Sequence, residues 1–261
     1  MKDIFDKIDA MKKKETSLSF YELGVLINKA STKALEKLAE DDDAGVRRSV
    51  ASSERTPAAV LERLAGDVAE GVRYRVAGNP KAPVKLLEKL AGDDVDIRIQ
   101  VASNPNTPEA VLGKLSRDRK FVVKRCVAEH PNTPATALKK LAEDRKLDIK
   151  IRVAEHPNTP AAALGTLAEE DDWNIRYRVA EHPNTPATVL KKLAGDKEMY
   201  VRSCVANNDH TPAAVLEKMA NDAAVVGNFA NPPNPKKFNN LVNVWNKLKA
   251  ECGELIYEHN H

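Results

Sequence analysis

The stretch Val127-Ala128-Glu129-His130-Pro131-Asn132-Thr133-Pro134 returns unchanged at 153–160 and again at 179–186. Its closing dipeptide recurs more widely, at Thr56-Pro57, Ala82-Pro83, Thr107-Pro108, Thr133-Pro134, Thr159-Pro160, Thr185-Pro186 and Thr211-Pro212. Successive prolines stand 26, 25, 26, 26, 26 and 26 residues apart. Seven copies with one single-residue slip make this a tandem array, and a fixed period of this kind decides the architecture before any local propensity does.

Each copy reads as two short helices. Thr56 is a good helix N-cap, and Pro57 suits the first helical position, where its missing N–H costs nothing. Val60, Leu61, Leu64 and Ala65 then fall on one helical face. Gly66-Asp67 is expected to end that helix after about nine residues, and Gly92 and Gly195 stand at the same point. The following segment, Val72-Arg73-Tyr74-Arg75-Val76-Ala77, suits one or two turns of α- or 3₁₀-helix. A proline that cannot continue the turn closes it at Asn79-Pro80, Asn104-Pro105, His130-Pro131, His156-Pro157 and His182-Pro183. A unit this short cannot hold the helix pair of the longer α-solenoid repeats, of about 34 residues or more. A leucine-rich repeat would need a strand of alternating Leu, and none is present. The class is all-α.

The phased pattern Asp-(four)-Val-Arg-x-x-Val-Ala-x-Asn-Pro-x-Thr-Pro-x-x-x-Leu-x-x-Leu-Ala is met from Asp67 to Ala91, with only Ala82 departing. In this it resembles the leucine-rich repeat variant family, over about residues 32–220. The resemblance implies a right-handed superhelical solenoid of alternating α- and 3₁₀-helices, here seven to eight repeats of 26 residues. Members of that family can carry a cysteine-ligated iron–sulfur cluster in a small N-terminal domain. Residues 1–31 contain no Cys, so the cluster is not carried over and no cofactor is expected.

Single repeats leave apolar faces open, so an array needs covers at its ends. Seven of the twelve aromatic residues lie outside 32–220: Phe5, Phe20, Tyr21, Phe229, Phe238, Trp245 and Tyr257. The expected organisation is an N-terminal helical cap over 1–31 (helices at about 2–14 and 18–29), the array over 32–220, and a degenerate repeat with a capping helix over 221–261.

Composition narrows the function classes. At 42% hydrophobic the chain is too apolar for disorder, and at 30% charged it is too polar for a membrane protein. Its start, Met1-Lys2-Asp3-Ile4-Phe5-Asp6, lacks the apolar region of a secretory signal. The 3 Cys are too few for a disulfide framework, so a cytoplasmic, reducing location is expected. The net charge of +3, from 41 basic and 38 acidic residues, does not by itself point to nucleic acid.

In a stacked array equivalent residues form columns, and chemistry is sought by column. One basic column holds Arg47, Arg73, Arg98, Lys124, Lys150, Arg176 and Arg202, each preceded by an acid: Asp41, Asp67, Asp93, Asp118, Asp144, Glu170 and Asp196. A structural charge row that fixes the register of the repeats explains the matched signs better than an anion strip. A second basic column, Lys37, Arg63, Lys89, Lys114, Lys140, Lys192 and Lys218, reads as a solvated edge or a phosphate track. Packed helices sit about 8–10 Å apart and DNA phosphates about 3.4 Å per strand. Such a track would touch about every third phosphate.

Two variable columns follow the first basic one, and from them Arg48, Tyr74, Arg75, Arg125, Arg152, Tyr177 and Arg178 are the partner-binding candidates. Tyr and Arg are types enriched at binding hot spots; packing between layers is the competing role, since Ile99, Cys126, Ile151 and Cys204 share those columns. His130, His156 and His182 alternate in their column with Ser53, Asn79, Asn104 and Asn208, so turn capping is expected and no metal site. Repeats about 8–10 Å apart cannot bring such side chains within about 2.1 Å of one ion. No nucleophile elbow, phosphate loop, zinc motif or dinucleotide fingerprint occurs. The sequence therefore points to a monomeric, non-catalytic scaffold for a protein or peptide, with no membrane association. Nucleic-acid binding through the Lys/Arg columns is the alternative, and a hydrolase or glycosylase on the same frame is the third class.

Overall fold

The computed structural model describes residues 2–13 and 20–221. The regular structure among them is α-helical: α1 (Lys2–Lys13), α2 (Phe20–Asn28), α3 (Thr32–Leu38), α4 (Ala44–Ser52), α5 (Ala58–Leu64), α6 (Glu70–Gly78), α7 (Val84–Leu90), α8 (Val95–Ser103) and α9 (Glu109–Leu115). The chain continues with α10 (Phe121–Glu129), α11 (Ala135–Ala142), α12 (Leu147–Glu155), α13 (Ala161–Leu167), α14 (Trp173–Glu181), α15 (Ala187–Leu193), α16 (Met199–Asn207) and α17 (Ala213–Asn221). No described helix is long and apolar enough to cross a membrane.

Each repeat supplies two helices, with their expected lengths reversed. The helix after the proline has seven residues in α5, α7, α9, α13 and α15, and the second segment is a full nine-residue α-helix in α4, α6, α8, α10, α12, α14 and α16. The cause lies at both ends of the first helix. Pro57 is extended (φ −62°, ψ 151°) and is itself the N-cap; Thr56 instead donates its hydroxyl back to the Val50 carbonyl at 2.6 Å, pinning the turn to the preceding helix. Thr107, Thr133, Thr159, Thr185 and Thr211 repeat that bond at 2.5–2.6 Å. At the far end, Gly66, Gly92 and Gly195 are not in the left-handed region, so glycine is not the stop. The stop is the following acid. Asp67 accepts the Ala69 N–H on its carboxylate at 2.9 Å, and Asp41, Asp118, Asp144 and Asp196 do the same two residues on, at 2.8–2.9 Å.

The 25-residue copy is absorbed in this loop. Only five positions separate Asp93 from Arg98, against six between Asp67 and Arg73. Asp93 caps the adjacent Asp94 N–H, at 2.8 Å, and α8 begins one residue sooner.

The chain divides into two compact units, residues 1–137 and 138–261, with the division inside α11. In the first, α2, α4, α6, α8 and α10 stack in series, α5, α7 and α9 pack against the nine-residue helices on either side, and α3 packs against α4. Val46, Val50, Val72, Val76, Ile97, Val101, Val123 and Val127 are fully buried along that stack, facing Leu61, Leu87 and Leu112 of the shorter helices. Losing one such Leu to Ala would cost about 2–5 kcal/mol. The N-terminal helices continue the array. Ser53 donates to Asn28 at 2.9 Å, as later copies bond across the same interval, and Lys12 reaches Asp41 at 2.5 Å, a place that Arg47, Arg73, Arg98 and Arg176 fill in later repeats. In the second unit α12, α14 and α16 stack in series with α13 and α15 between them, over buried Ile149, Val153, Ile175, Val179, Val201 and Val205. The degenerate repeat and capping helix expected beyond Asn221 lie outside the described residues.

Candidate functional site

The nine-residue helices position every candidate side chain. Their third, seventh and eighth residues enter the core, the fourth is the basic column, and the first, second, fifth, sixth and ninth remain for the surface, except the buried Ser49 and Ser203.

The basic column is tied up repeat to repeat. Arg47 forks Nε and Nη2 onto Asp67 of the next copy at 2.6 and 2.9 Å. Arg73 does so with Asp93 at 2.8 and 3.0 Å, Arg98 with Asp118 at 2.7 and 3.2 Å, and Arg176 with Asp196 at 2.6 and 3.0 Å. Lys150 meets Glu170 at 2.7 Å. The remaining nitrogen, Nη1, donates to loop carbonyls of its own repeat: Asp41 and Asp42 from Arg47, Glu170 and Asp171 from Arg176, Asp196 and Lys197 from Arg202. The Arg47 hydrogen bond holds the Asp67 carboxyl below its ordinary value, and Arg73 does the same for Asp93. At Asp118 and Asp196 burial pushes the value up, but the arginine bond, a backbone N–H and nearby positive charge together carry it down. These guanidinium groups are already saturated by carboxylates. Lys124 is half-buried on α10.

The outer basic column is exposed and engaged in part. Arg63 pairs with Glu40 and Lys192 with Glu169, each acid lying 23 residues before its base. Lys140 lies 3.6 Å from Glu143, and Lys37 stands 4.8 Å above the Phe5 ring.

Of the partner-binding candidates, Arg48 is exposed and Tyr74, Arg75, Arg125, Arg152, Tyr177 and Arg178 are half-buried. On α6 the Arg75 guanidinium lies 5.6 Å from the Tyr74 ring, whose hydroxyl accepts Gln100 Nε2 at 2.9 Å. On α14 Arg178 stands 5.5 Å from Tyr177 and 3.3 Å from Glu155. Glu155 also receives Arg152, which reaches back to Asp148, so this carboxylate joins Arg152 and Arg178. Arg125 lies 5.9 Å from the Phe121 ring.

One surface column was not singled out from the sequence. The nine-residue helices open on Ala44, Glu70, Val95, Phe121, Leu147, Trp173 and Met199. Phe121, Leu147, Trp173 and Met199 remain 38%, 45%, 46% and 36% exposed, and Tyr200 beside Met199 is 50% exposed. Trp173 meets Tyr177 edge-on at 6.3 Å and lies 5.9 Å from Tyr200. Burial, followed by the Cys204 side chain, raises the Tyr177 phenol. The signal was available: five consecutive copies place an apolar residue two positions before the buried Val or Ile. A segment that opens at Val72 leaves these positions outside the helix.

The histidine column is a capping column. His182 Nε2 lies 3.0 Å from the His156 carbonyl and its Nδ1 accepts the Asn184 N–H at 3.0 Å, which assigns the neutral Nε2–H tautomer. His130 makes the same pair with the Asn104 carbonyl and the Asn132 N–H. Asn104 replaces the ring by an amide, donating to the Ala77 and Asn79 carbonyls and accepting from Asn106. Burial holds the His182 imidazole below its ordinary value. Among the described residues no three His, Cys, Asp or Glu side chains converge to hold a metal, and Cys126 and Cys204 are half-buried and not joined in a disulfide.

Residues 95–119, one repeat long, match the family described as "Leucine rich repeat variant". A solved structure described as "a leucine-rich repeat variant with a novel repetitive protein structural motif" is similar at 28% identity and a TM-score of 0.55, over 70% of this chain and 73% of that one. No curated protein matches.

Proposed function

The chain belongs to the leucine-rich repeat variant family, and from that premise we propose that it is a non-catalytic scaffold that binds a protein or peptide along its nine-residue helices. The observation that carries this reading is the open apolar column: Phe121 in the first unit, and Leu147, Trp173 and Met199 in the second, stand in water at equivalent helix positions. Burial of large apolar side chains is the main source of association energy, and a solenoid surface tolerates change at such positions without disturbing its stack. Nothing in the periodic frame interrupts it with an inserted loop of the kind a catalytic centre would need. The cations that would suit nucleic acid are instead committed to acids in the inner column, and three of the outer ones also face a carboxylate.

A pull-down from the native host with Phe121→Asp and Trp173→Asp as controls tests this. Capture by the parent chain that survives rising salt and is lost with the variants, at unchanged melting temperature, supports the reading. Capture of nucleic acid that collapses as salt rises contradicts it.

A further inference from the structure

The richest part of that column lies in the second unit. Trp173 begins α14, Met199 and Tyr200 begin α16, and Leu147 begins α12. The Trp173 indole is braced by two rings, Tyr177 edge-on (76° between planes) and Tyr200 tilted by 36°, yet 46% of the residue remains exposed. An aromatic held rigid before contact loses little side-chain freedom on binding, the property of anchor residues.

The loops that lead into α14 and α16 carry mostly acidic side chains, with the exposed Lys197 between Asp196 and Glu198 the exception. The run Glu169-Glu170-Asp171-Asp172 leads into α14 and Glu198 precedes α16. Glu170 is paired with Lys150, Glu169 with Lys192, and Asp172 caps the Asn174 and Ile175 N–H groups, while Asp171 is exposed and Glu198 half-exposed. Across the helices, Arg152 and Arg178 lie among three carboxylates, Asp148, Glu155 and Glu181.

Resting on the partner-binding reading, we propose that Trp173, Tyr177, Met199 and Tyr200 are the anchor point for a peptide segment of another protein. The segment sets an aliphatic or aromatic side chain against the indole and a Lys or Arg toward Asp171 and Glu198. Bases of a single strand would also stack on these rings, but its phosphates would face the same carboxylates.

The probe is a phage-displayed random peptide library selected on the full chain. Selected peptides are then labelled and titrated by anisotropy, with poly(U) in parallel and sedimentation of the chain alone. The expected peptides join a large apolar residue to Lys or Arg. Their affinity falls at least tenfold with Trp173→Ala or Tyr200→Ala and severalfold with Asp171→Asn/Glu198→Gln at low salt. Val68→Ala, at an exposed residue outside the binding column, leaves it unchanged, and all variants keep the parent's circular dichroism. Peptides that bind regardless of Trp173→Ala overturn the anchor but leave the scaffold reading standing. Acidic consensus peptides overturn the charge assignment, and a dimer dissolved by Trp173→Ala gives the patch to a second copy and overturns the proposal. No enrichment over an unrelated control protein, or Trp173-dependent binding of poly(U) alone, overturns both readings.

Discussion

Replacing Arg176 by Met should be the most damaging single change in the charge ladder. The Arg176 and Asp196 side chains are 8% and 6% exposed, against 18% and 19% for Arg73 and Asp93. Met preserves most of the apolar stem but leaves Asp196 buried without its cation, and it removes the donor to the Glu170 and Asp171 carbonyls. Breaking one side of a buried pair costs about 3–5 kcal/mol. Arg73→Met, in a wetter pair, should cost about 1.5–3 kcal/mol, the worth of a hydrogen bond to a charged group. Arg176→Lys should fall between, since an ammonium cannot fork, as at the single 2.7 Å contact of Lys150 with Glu170. Asp196→Asn added to Arg176→Met should recover part of the loss, because the stranded charge is gone while an amide oxygen still accepts the Glu198 N–H. Repeat arrays need not unfold in one step, so native-state hydrogen exchange of α14 and α16 amides is the assay, with urea unfolding alongside. Equal losses for Arg176→Met and Arg73→Met, or an Arg176→Met chain within about 0.5 kcal/mol of the parent, would refute the burial argument.

Further outcomes follow from the same bonds. The folded values of Asp67, Asp93, Asp118 and Asp196 lie below the unperturbed 3.8, so their contribution is fully present above that pH and is lost as pH falls through the depressed values. Urea midpoints against pH should drop there, and less steeply in an Asp93→Asn chain. His182 must stay neutral to keep both its bonds, and its folded value lies below 6.5. Its contribution is therefore whole above that pH and is lost as pH falls from there through the folded value. His182→Asn should remove this dependence from exchange at α14 and α15 while keeping stability at neutral pH, because Asn104 and Asn208 make the same kind of contacts. Ala82→Thr should stabilise by about 1 kcal/mol, by supplying the hydroxyl bond that Thr56 and Thr107 make to Val50 and Val101; a fall in urea midpoint would mean the buried site has no room for it.

The repeat, its two helices and the core columns were legible because period and apolar phase are one-dimensional signals. Val72 and Val76 could be placed in the core from spacing alone. Helix ends were not legible, because hydrogen bonds to residues far along the chain set them. Thr56 looks like a cap in sequence but spends its hydroxyl on Val50, and Asp67 stops a helix through a turn locked by Arg47 from the previous copy. The acid–base pairing was visible, but whether Arg47 takes Asp41 or Asp67 depends on the stacking offset. The answer is both, through the Asp41 carbonyl and the Asp67 carboxylate. The open column at Phe121, Leu147 and Trp173 is hidden when the helix is started at the buried Val or Ile, two residues beyond its true first residue.

The surface claim is tested most directly by acrylamide quenching of Trp173 in a Trp245→Phe chain, where it is the only indole left. A half-exposed ring should emit like an indole in contact with water and be readily quenched, and a selected basic–apolar peptide should shield it. An emission already shifted to the blue and resistant to quencher in the free chain, at every protein concentration, would contradict an open binding face.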